Sequence, residues 1–312
     1  MFIIDPKEFS SLSGGFMAIS PFEHLRLQRP IRLLRRHESQ VSAFLEKEPV
    51  SNLFLLSWIE NNGIEARHEN HFHFFGIHDT QGQLKAVLLS ISDRLVMLHS
   101  DSPEEAEHLG YFIAQSGVHL HHVVSTRANA NPFWVAYHEH RPDIEARLIQ
   151  NQKLYSLRKE DFLPIVEPLP VRRAGLHEMD ALYLASAQMH REETGEDPLE
   201  GDPDAFRRHV RYRISHGRTF VYFDKFRRLL FKADISSRSP RGVQISGVYT
   251  APHCRNQGIA TRGMQSLIQG LFHEGLPLIT LYANETNHPA LKVYTRLGFR
   301  FHTPYQTVFI AH

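Results

Sequence analysis

A single cysteine, Cys254, is all the thiol chemistry this 312-residue chain has. One thiol makes no internal disulfide, which fits a reducing cytoplasm, and Cys254 itself reads as a small spacer in a loop. Long apolar runs are missing too. No stretch approaches the roughly 20 apolar residues that span a bilayer. The opening Met-Phe-Ile-Ile-Asp-Pro-Lys-Glu lacks the order of basic region, apolar run and cleavage site that a secretory signal needs. A cytoplasmic location away from the membrane is the expectation. Nor does one sign of charge dominate: 35 Lys and Arg against 34 Asp and Glu leave +1. No global field therefore recruits nucleic acid, and attraction of a substrate has to be local. Complete metal-ligand sets are also lacking. The 22 histidines include His68-x-x-His71-x-His73 and His119-x-His121-His122; on a strand, His71 with His73 or His119 with His121 would share a face and could chelate zinc. No cysteine and no clear carboxylate completes either set, and histidine is frequent all along the chain, so no metal is expected.

What is present is ordinary globular material, 42% apolar and 22% charged, long enough for two domains. Residues 1–30 read as an arm. Residues 31–160 read as helices at 38–46 and 50–61, strands at 72–77, 86–92 and 95–99, a helix at 103–116, a strand at 118–124, a short helix at 132–140 and a final strand at 146–157. A proline-flanked linker, 159–168, leads into residues 165–312. There the order repeats: a strand at 169–174, helices at 176–190 and from Asp202 to Gly217, strands at 219–224, 229–236 and 243–250, a helix, a strand at 278–283, a helix opening at Pro289, and two short strands at 299–302 and 307–311.

The informative stretch is Val-Tyr-Thr-Ala-Pro-His-Cys-Arg-Asn-Gln-Gly-Ile-Ala at 248–260. A β-rich segment, 245–250, runs into a short loop broken by Pro252 and Gly258. A helix follows whose apolar positions Met264, Leu267, Ile268, Leu271 and Phe272 fall at i, i+3, i+4, i+7 and i+8, with Gly275 at its end. Strand, glycine-containing loop and helix together direct unpaired backbone N–H groups and the positive helix end at one point, which suits a diphosphate. Gly258 lets the backbone approach closely, and Arg255 adds charge.

Arg255-x-x-Gly258-x-Ala260 resembles the acyl-CoA-binding motif of the GNAT superfamily of N-acetyltransferases, which lies directly after that fold's fourth strand. Asn284, Asn287 and Val-Tyr-Thr-Arg-Leu-Gly-Phe at 293–299 are similar to its next strand and final helix. The resemblance covers about the last 145 residues, with Ala260 where many members carry glycine. It implies an α/β (α+β) fold with a mixed, mostly antiparallel twisted sheet flanked by helices. The matching element order of residues 31–160 implies a second, degenerate GNAT-like domain. At its strand-to-helix joint, Ser100-Asp-Ser-Pro-Glu-Glu-Ala, Glu104 and Glu105 would repel a diphosphate, so no CoA is expected there.

By the same resemblance the pantetheine arm of acetyl-CoA runs beside Val248, Tyr249 and Thr250, where a backbone N–H polarises the thioester carbonyl. The diphosphate takes the loop and first helical turn: Arg255, Asn256, Gln257, Gly258, Ile259, Ala260 and Thr261. Tyr294 aligns with the tyrosine that reprotonates the CoA thiolate in many members, and it also lies on an apolar helical face. Asn284 precedes that helix; Asn287 either bonds the pantetheine arm or caps the helix. Candidate general bases are Glu192 and Glu193, in an acidic joint between the first two helices of this half that would attract a cationic amine, and Asp234 on a central strand, with Lys232 expected on the opposite face. The acceptor is expected to be a small-molecule or peptide amine. Two rivals are a non-catalytic acyl-CoA-binding sensor and a twin-domain transferase using an RNA-linked aminoacyl donor; the near-neutral charge counts against the latter.

Overall fold

The computed structural model describes residues 29–65, 72–92, 94–118, 120–165 and 167–311. His68, His71, His119 and the arm up to residue 28 lie outside them. The first half supplies β1 (Ile31–Leu33), α1 (Glu38–Leu45), α2 (Leu53–Asn62), β2 (Phe72–His78), β3 (Leu84–Ile91), β4 (Leu95–Ser100), α3 (Pro103–Gln115), β5 (His122–Thr126), α4 (Arg127–His140) and β6 (Ala146–Arg158). The second repeats the succession with β7 (Arg172–Arg173), α5 (Met179–Thr194), α6 (Pro203–Ser215), β8 (Thr219–Phe223), β9 (Leu229–Ser239), β10 (Gly242–Thr250), α7 (Ile259–His273), β11 (Leu278–Asn284), α8 (His288–Arg296) and β12 (Arg300–Ile310).

Several bounds differ from the sequence reading, each for a local reason. The strand expected at 169–174 shrinks to Arg172–Arg173, an edge pair on β8. Helix α4 starts at Arg127, so Pro132 sits inside it and not at its first position. The two closing strands are one, because Pro304 pairs with Lys153 without breaking β12. Helix α5 runs on to Thr194, which puts Glu192 and Glu193 in its last turn and not in a joint.

All twelve strands form one sheet, in the order β1-β2-β3-β4-β5-β12-β6-β11-β10-β9-β8-β7. The centre is an exchange. β6 closes the first half in sequence but pairs with β11 from Gln152 to Arg158. β12 closes the second half but pairs with β5 from His122 to Thr126. β6 and β12 then pair antiparallel with each other, so each half's last strand completes the other half's sheet.

Side-chain alternation on these two strands sorts the helices. Tyr155 and Leu157 of β6 point into a core with α7 and α8. Val308 and Ile310 of β12 join α3 and α4 on that same face. Leu154 and Tyr305 point the other way, into a core with α1 and α2, while α5 and α6 cover Val221 further along that face. Helix α2 reaches across the boundary: Ser57 Oγ bonds Ser239 Oγ at 3.0 Å, and Asn61 Nδ2 donates to the Arg238 carbonyl at 2.8 Å.

Candidate active site

β10 and β11 are parallel partners only from Val243–Ile245 against Ile279–Leu281. Beyond that they part. β11 continues to Asn284 along β6, while β10 stays with β9 through an irregularity between Ser246 and Tyr249. The cause is Gly247, at φ +53°, where a Cβ would lie 2.6 Å from Asp234 Oδ2. Only glycine fits both that backbone and that contact. The isolated glycine inside the β-rich segment was the available sequence signal, and it was missed. Parting strands leave an open wedge, walled by Val248 to Thr250 on one side and by Tyr282 to Asn284 on the other.

At its mouth, Asn256 and Gly258 adopt left-handed conformations, φ +61° and +76°, and Gly258 is the N-cap of α7. The first-turn amides of Ile259, Ala260 and Thr261 have no helical carbonyl behind them. Nothing lies within 4 Å of where a Gly258 Cβ would stand, so this position faces open space. Arg255 is turned aside. Its Nε donates to the Thr250 carbonyl at 3.1 Å, and its Nη2 lies 2.7 Å from Glu192 Oε2. Gln257 donates back to the His253 carbonyl at 3.2 Å. The Asn284 side-chain oxygen accepts from the Thr286 amide at 2.9 Å, and the Asn287 oxygen accepts from the Ala290 amide at 3.2 Å, capping α8.

Under the bulge lies a buried charge cluster. Lys232 and Asp234 are both 1% exposed, and Lys232 Nζ meets Asp234 Oδ2 at 2.5 Å. The expectation that Lys232 faces away is therefore corrected: residues i and i+2 of a strand share a face. Arg213 of α6 adds a second donor to Oδ2 at 3.1 Å, and Thr219 donates to Oδ1 at 2.8 Å. Lys232 also donates to the Gly247 carbonyl at 3.2 Å. Burial pushes the Asp234 pKa up, but Lys232, Arg213 and these bonds outweigh it and hold the carboxyl below its ordinary range. A carboxylate so saturated with donors is a poor proton acceptor, and its geometry is that of a counter-ion tying β9 to α6 and the bulge. Lys232→Met would leave Asp234 short of a partner in the interior. We expect a loss of about 3 kcal/mol, measured by denaturant unfolding.

Adjacent residues on a helix point about 100° apart, which separates the two glutamates. Glu192 is held by Arg255, while Glu193 faces the cluster. Burial raises the Glu193 pKa most and Glu192 adds to it, while Lys232 and Arg213 oppose them. Residue Glu193 as a whole is solvent-exposed, yet enough protein surrounds its carboxyl for burial to dominate the shift. Its peptide is fixed from the first half of the chain: Gln150 of β6 donates to the Glu193 carbonyl at 2.6 Å. Tyr294, 5% exposed on α8, packs its ring against Phe299 at 5.9 Å. Burial, then the Glu193 charge, push its phenol well above the ordinary range. The remaining acids of this region are paired as well: Glu196 with Arg147 at 2.7 Å, and Asp197 with Arg191.

In the first half the equivalent wedge is stitched shut. β4 and β5 are parallel partners from Leu95–Met97 against His122–Val124. Where they would part, Ser125 Oγ donates to the Leu98 carbonyl at 2.6 Å, and Ser100 Oγ lies 3.0 Å from Asn129 Oδ1. Helix α3 opens with Pro103, Glu104 and the buried Glu105, whose Oε2 has no partner and whose pKa burial raises. Among the described residues no group of three or more His, Cys, Asp and Glu is placed to hold a metal ion, and no helix is long and apolar enough to cross a membrane.

Two mixed sheets joined edge to edge, with a glycine-led helix under parting parallel strands, define the class: tandem acetyltransferase-like folds. Residues 188–299 match the acetyltransferase (GNAT) family, and the second half of the chain carries a domain of that family. No curated protein matches the chain. Among solved structures, an acetyltransferase of the GNAT family from Colwellia psychrerythraea is 15% identical, covers 91% of this chain and 99% of its own, and superposes with a TM-score of 0.54. A GCN5-related N-acetyltransferase from Sphaerobacter thermophilus is 11% identical over 92% and 95%, with a TM-score of 0.58. A tandem GNAT protein from the clavulanic acid biosynthesis pathway is 11% identical over 91% and 98%, with a TM-score of 0.52. At such identities the likeness is one of fold, and it extends over both halves.

Proposed function

We propose that the chain is an acetyl-CoA-dependent N-acetyltransferase that moves the acetyl group to a primary amine by direct attack in a ternary complex. The observation that carries this reading is the wedge between β10 and β11, open at the bulge and ending at the left-handed Gly258 that starts α7. Bound acetyl-CoA would supply an activated thioester. The chain's residues fit it: free amides at the α7 N-terminus face the space where a diphosphate would sit, and unpaired β10 backbone offers an edge to an extended pantetheine arm.

The roles follow from the environment. Backbone N–H groups of Val248 to Thr250 polarise the carbonyl. Glu193 takes the proton from the acceptor ammonium, a task that a raised carboxyl pKa favours. Tyr294 keeps its proton until the sulfur departs and then donates to it. Burial is the main cause of the raised Tyr294 pKa, and protonation of Glu193 removes the second, its negative charge. Arg255 and Glu192 stand at the rim, where a diphosphate would compete with the carboxylate for the guanidinium. The first half, its wedge bridged by Ser125 and its α3 start acidic, supports by contrast a single CoA site.

Gly258→Asp tests the reading. The left-handed backbone costs an L residue about 1–2 kcal/mol, and open space receives the side chain, so the fold should survive. Its charge would face the diphosphate. Calorimetry should give one acetyl-CoA per wild-type chain and an affinity at least roughly tenfold weaker in the variant, about 1.4 kcal/mol. Unchanged affinity, or two equivalents per wild-type chain, would place the donor elsewhere.

A further inference from the structure

A cleft of about 490 Å³ opens on the face shared by α1, α2, α5 and α6, between α2 of the first half and α6 and β9 of the second. Its walls are aromatic: Phe54 and Trp58 on α2, Phe72 on β2 and Tyr212 on α6. Its charged lining consists of Arg218 and Arg238, with no carboxylate among the described lining residues. Arg238 is already neutralised, its Nη2 lying 2.5 Å from Glu274 Oε2. Arg218 is different. Half-buried at the start of β8, it stands over the Tyr212 ring at 6.0 Å, its Nη1 reaches only the Ser236 carbonyl at 3.5 Å, and no described carboxylate pairs with it. The Trp58 indole Nε1, also in the wall, is buried without an acceptor. The cleft thus offers a cation that the protein itself leaves without a described anionic partner.

One end of this cleft comes up to the charge cluster beneath the bulge. His209 lines it and lies one helical turn before Arg213, so the two share a face of α6. His209 as a whole residue is exposed, yet the protein around its ring, then Arg213, push it down to about 4, which makes it a neutral group beside the Lys232–Asp234 pair. The pair touches Gly247, and Glu193 lies within the field of Lys232 and Arg213. A molecule with its amine at Glu193 and its body turned away from the donor would run past that cluster toward Arg218. Of the acids at the end of α5, Glu192, Glu196 and Asp197 each have an arginine partner, which leaves Glu193 to meet the amine.

We infer that the acceptor is an amine that also carries an anionic group, carboxylate or phosphate, on an aromatic or apolar body, and that Arg218 holds the anion while the amine reaches Glu193. The inference rests on the transferase reading above and names its substrate class. A planar guanidinium donates two parallel bonds to either anion, and a hydrogen bond to a charged group is worth about 1.5–3 kcal/mol, roughly tenfold or more in affinity.

The test uses the full chain saturated with CoA and titrated by calorimetry with acetylated probes in matched pairs. N-acetyl-L-phenylalanine against its amide reads the carboxylate; N-acetyl-O-phosphoethanolamine against N-acetylethanolamine reads the phosphate. The anionic member of at least one pair should bind roughly tenfold tighter, Arg218→Ala should abolish that preference while leaving CoA affinity unchanged, and Arg218→Lys should keep part of it. Which pair discriminates identifies the anion. No preference in either pair, or a preference that survives Arg218→Ala, overturns the acceptor class alone. A chain that binds no CoA at all sinks the transferase reading and this inference with it.

Discussion

Expressed as separate pieces, residues 1–160 and 161–312 are each expected to show no cooperative thermal unfolding, and to regain it only when produced together. The linker between them is short and proline-flanked, and in sequence it looks like an ordinary domain boundary. The sheet runs straight through it. Without β6 the second half loses Tyr155 and Leu157 from the core beneath α7, and β11 loses its antiparallel partner. Without β12 the first half loses Val308 and Ile310 from the core beneath α3 and α4. Burying one such side chain is worth about 1.5–3 kcal/mol. Two of them consume a large part of the roughly 5–15 kcal/mol that holds a domain folded, before the bared strand edges are counted. Circular dichroism melts and size-exclusion profiles of each piece check this; a soluble piece with a sharp transition would show that the exchanged strands are dispensable.

The element order, the α7 motif and the tandem repetition were legible because each rests on local patterns: apolar periodicity, a glycine at a turn, a proline at a helix start. The exchange of β6 and β12 was not. A strand's alternation records which faces are covered and not which strands pair with its edges, so nothing in β6 says that both its neighbours, β12 and β11, come from the second half. The charge cluster escaped for a related reason. Lys232 and Asp234 look like two isolated polar residues until Arg213, far away in sequence, is brought against them. The end of α5 also differs: the sequence reading stops at His190, while the helix runs to Thr194 and places two glutamates in its last turn, where they oppose the helix dipole. In the structure, Arg255 pairs with Glu192, while Lys232 and Arg213 oppose but do not outweigh the burial of Glu193. The two glutamates could not be told apart in sequence, and the 100° between them on α5 separates them.

That separation makes the sharpest kinetic expectation. Glu193→Gln keeps the side chain's size and removes the proton acceptor, so turnover with an acceptor found by amine screening should fall roughly 10²-fold or more. Because the Glu193 pKa is raised, the wild-type acid limb of kcat/KM should lie above the ordinary glutamate range, and the variant should lose it. Glu192→Gln should leave that limb in place and alter donor affinity through Arg255 instead. Stability supplies a check independent of turnover. A glutamate whose pKa is higher folded than unfolded binds extra protons in the native state, so its contribution falls as pH rises from the ordinary value through the raised one. Glu193→Gln should therefore raise Tm at neutral pH relative to wild type and have little effect in acid. Tyr294→Phe removes only a hydroxyl and should cost a similar roughly 10²-fold in turnover with donor affinity unchanged. With that phenol held above its ordinary range, the substitution should not change the alkaline side of the profile below pH ~10. If Glu193→Gln keeps wild-type turnover and its acid limb, the proton leaves by another route, and Glu193 is only a desolvated carboxylate at the end of α5.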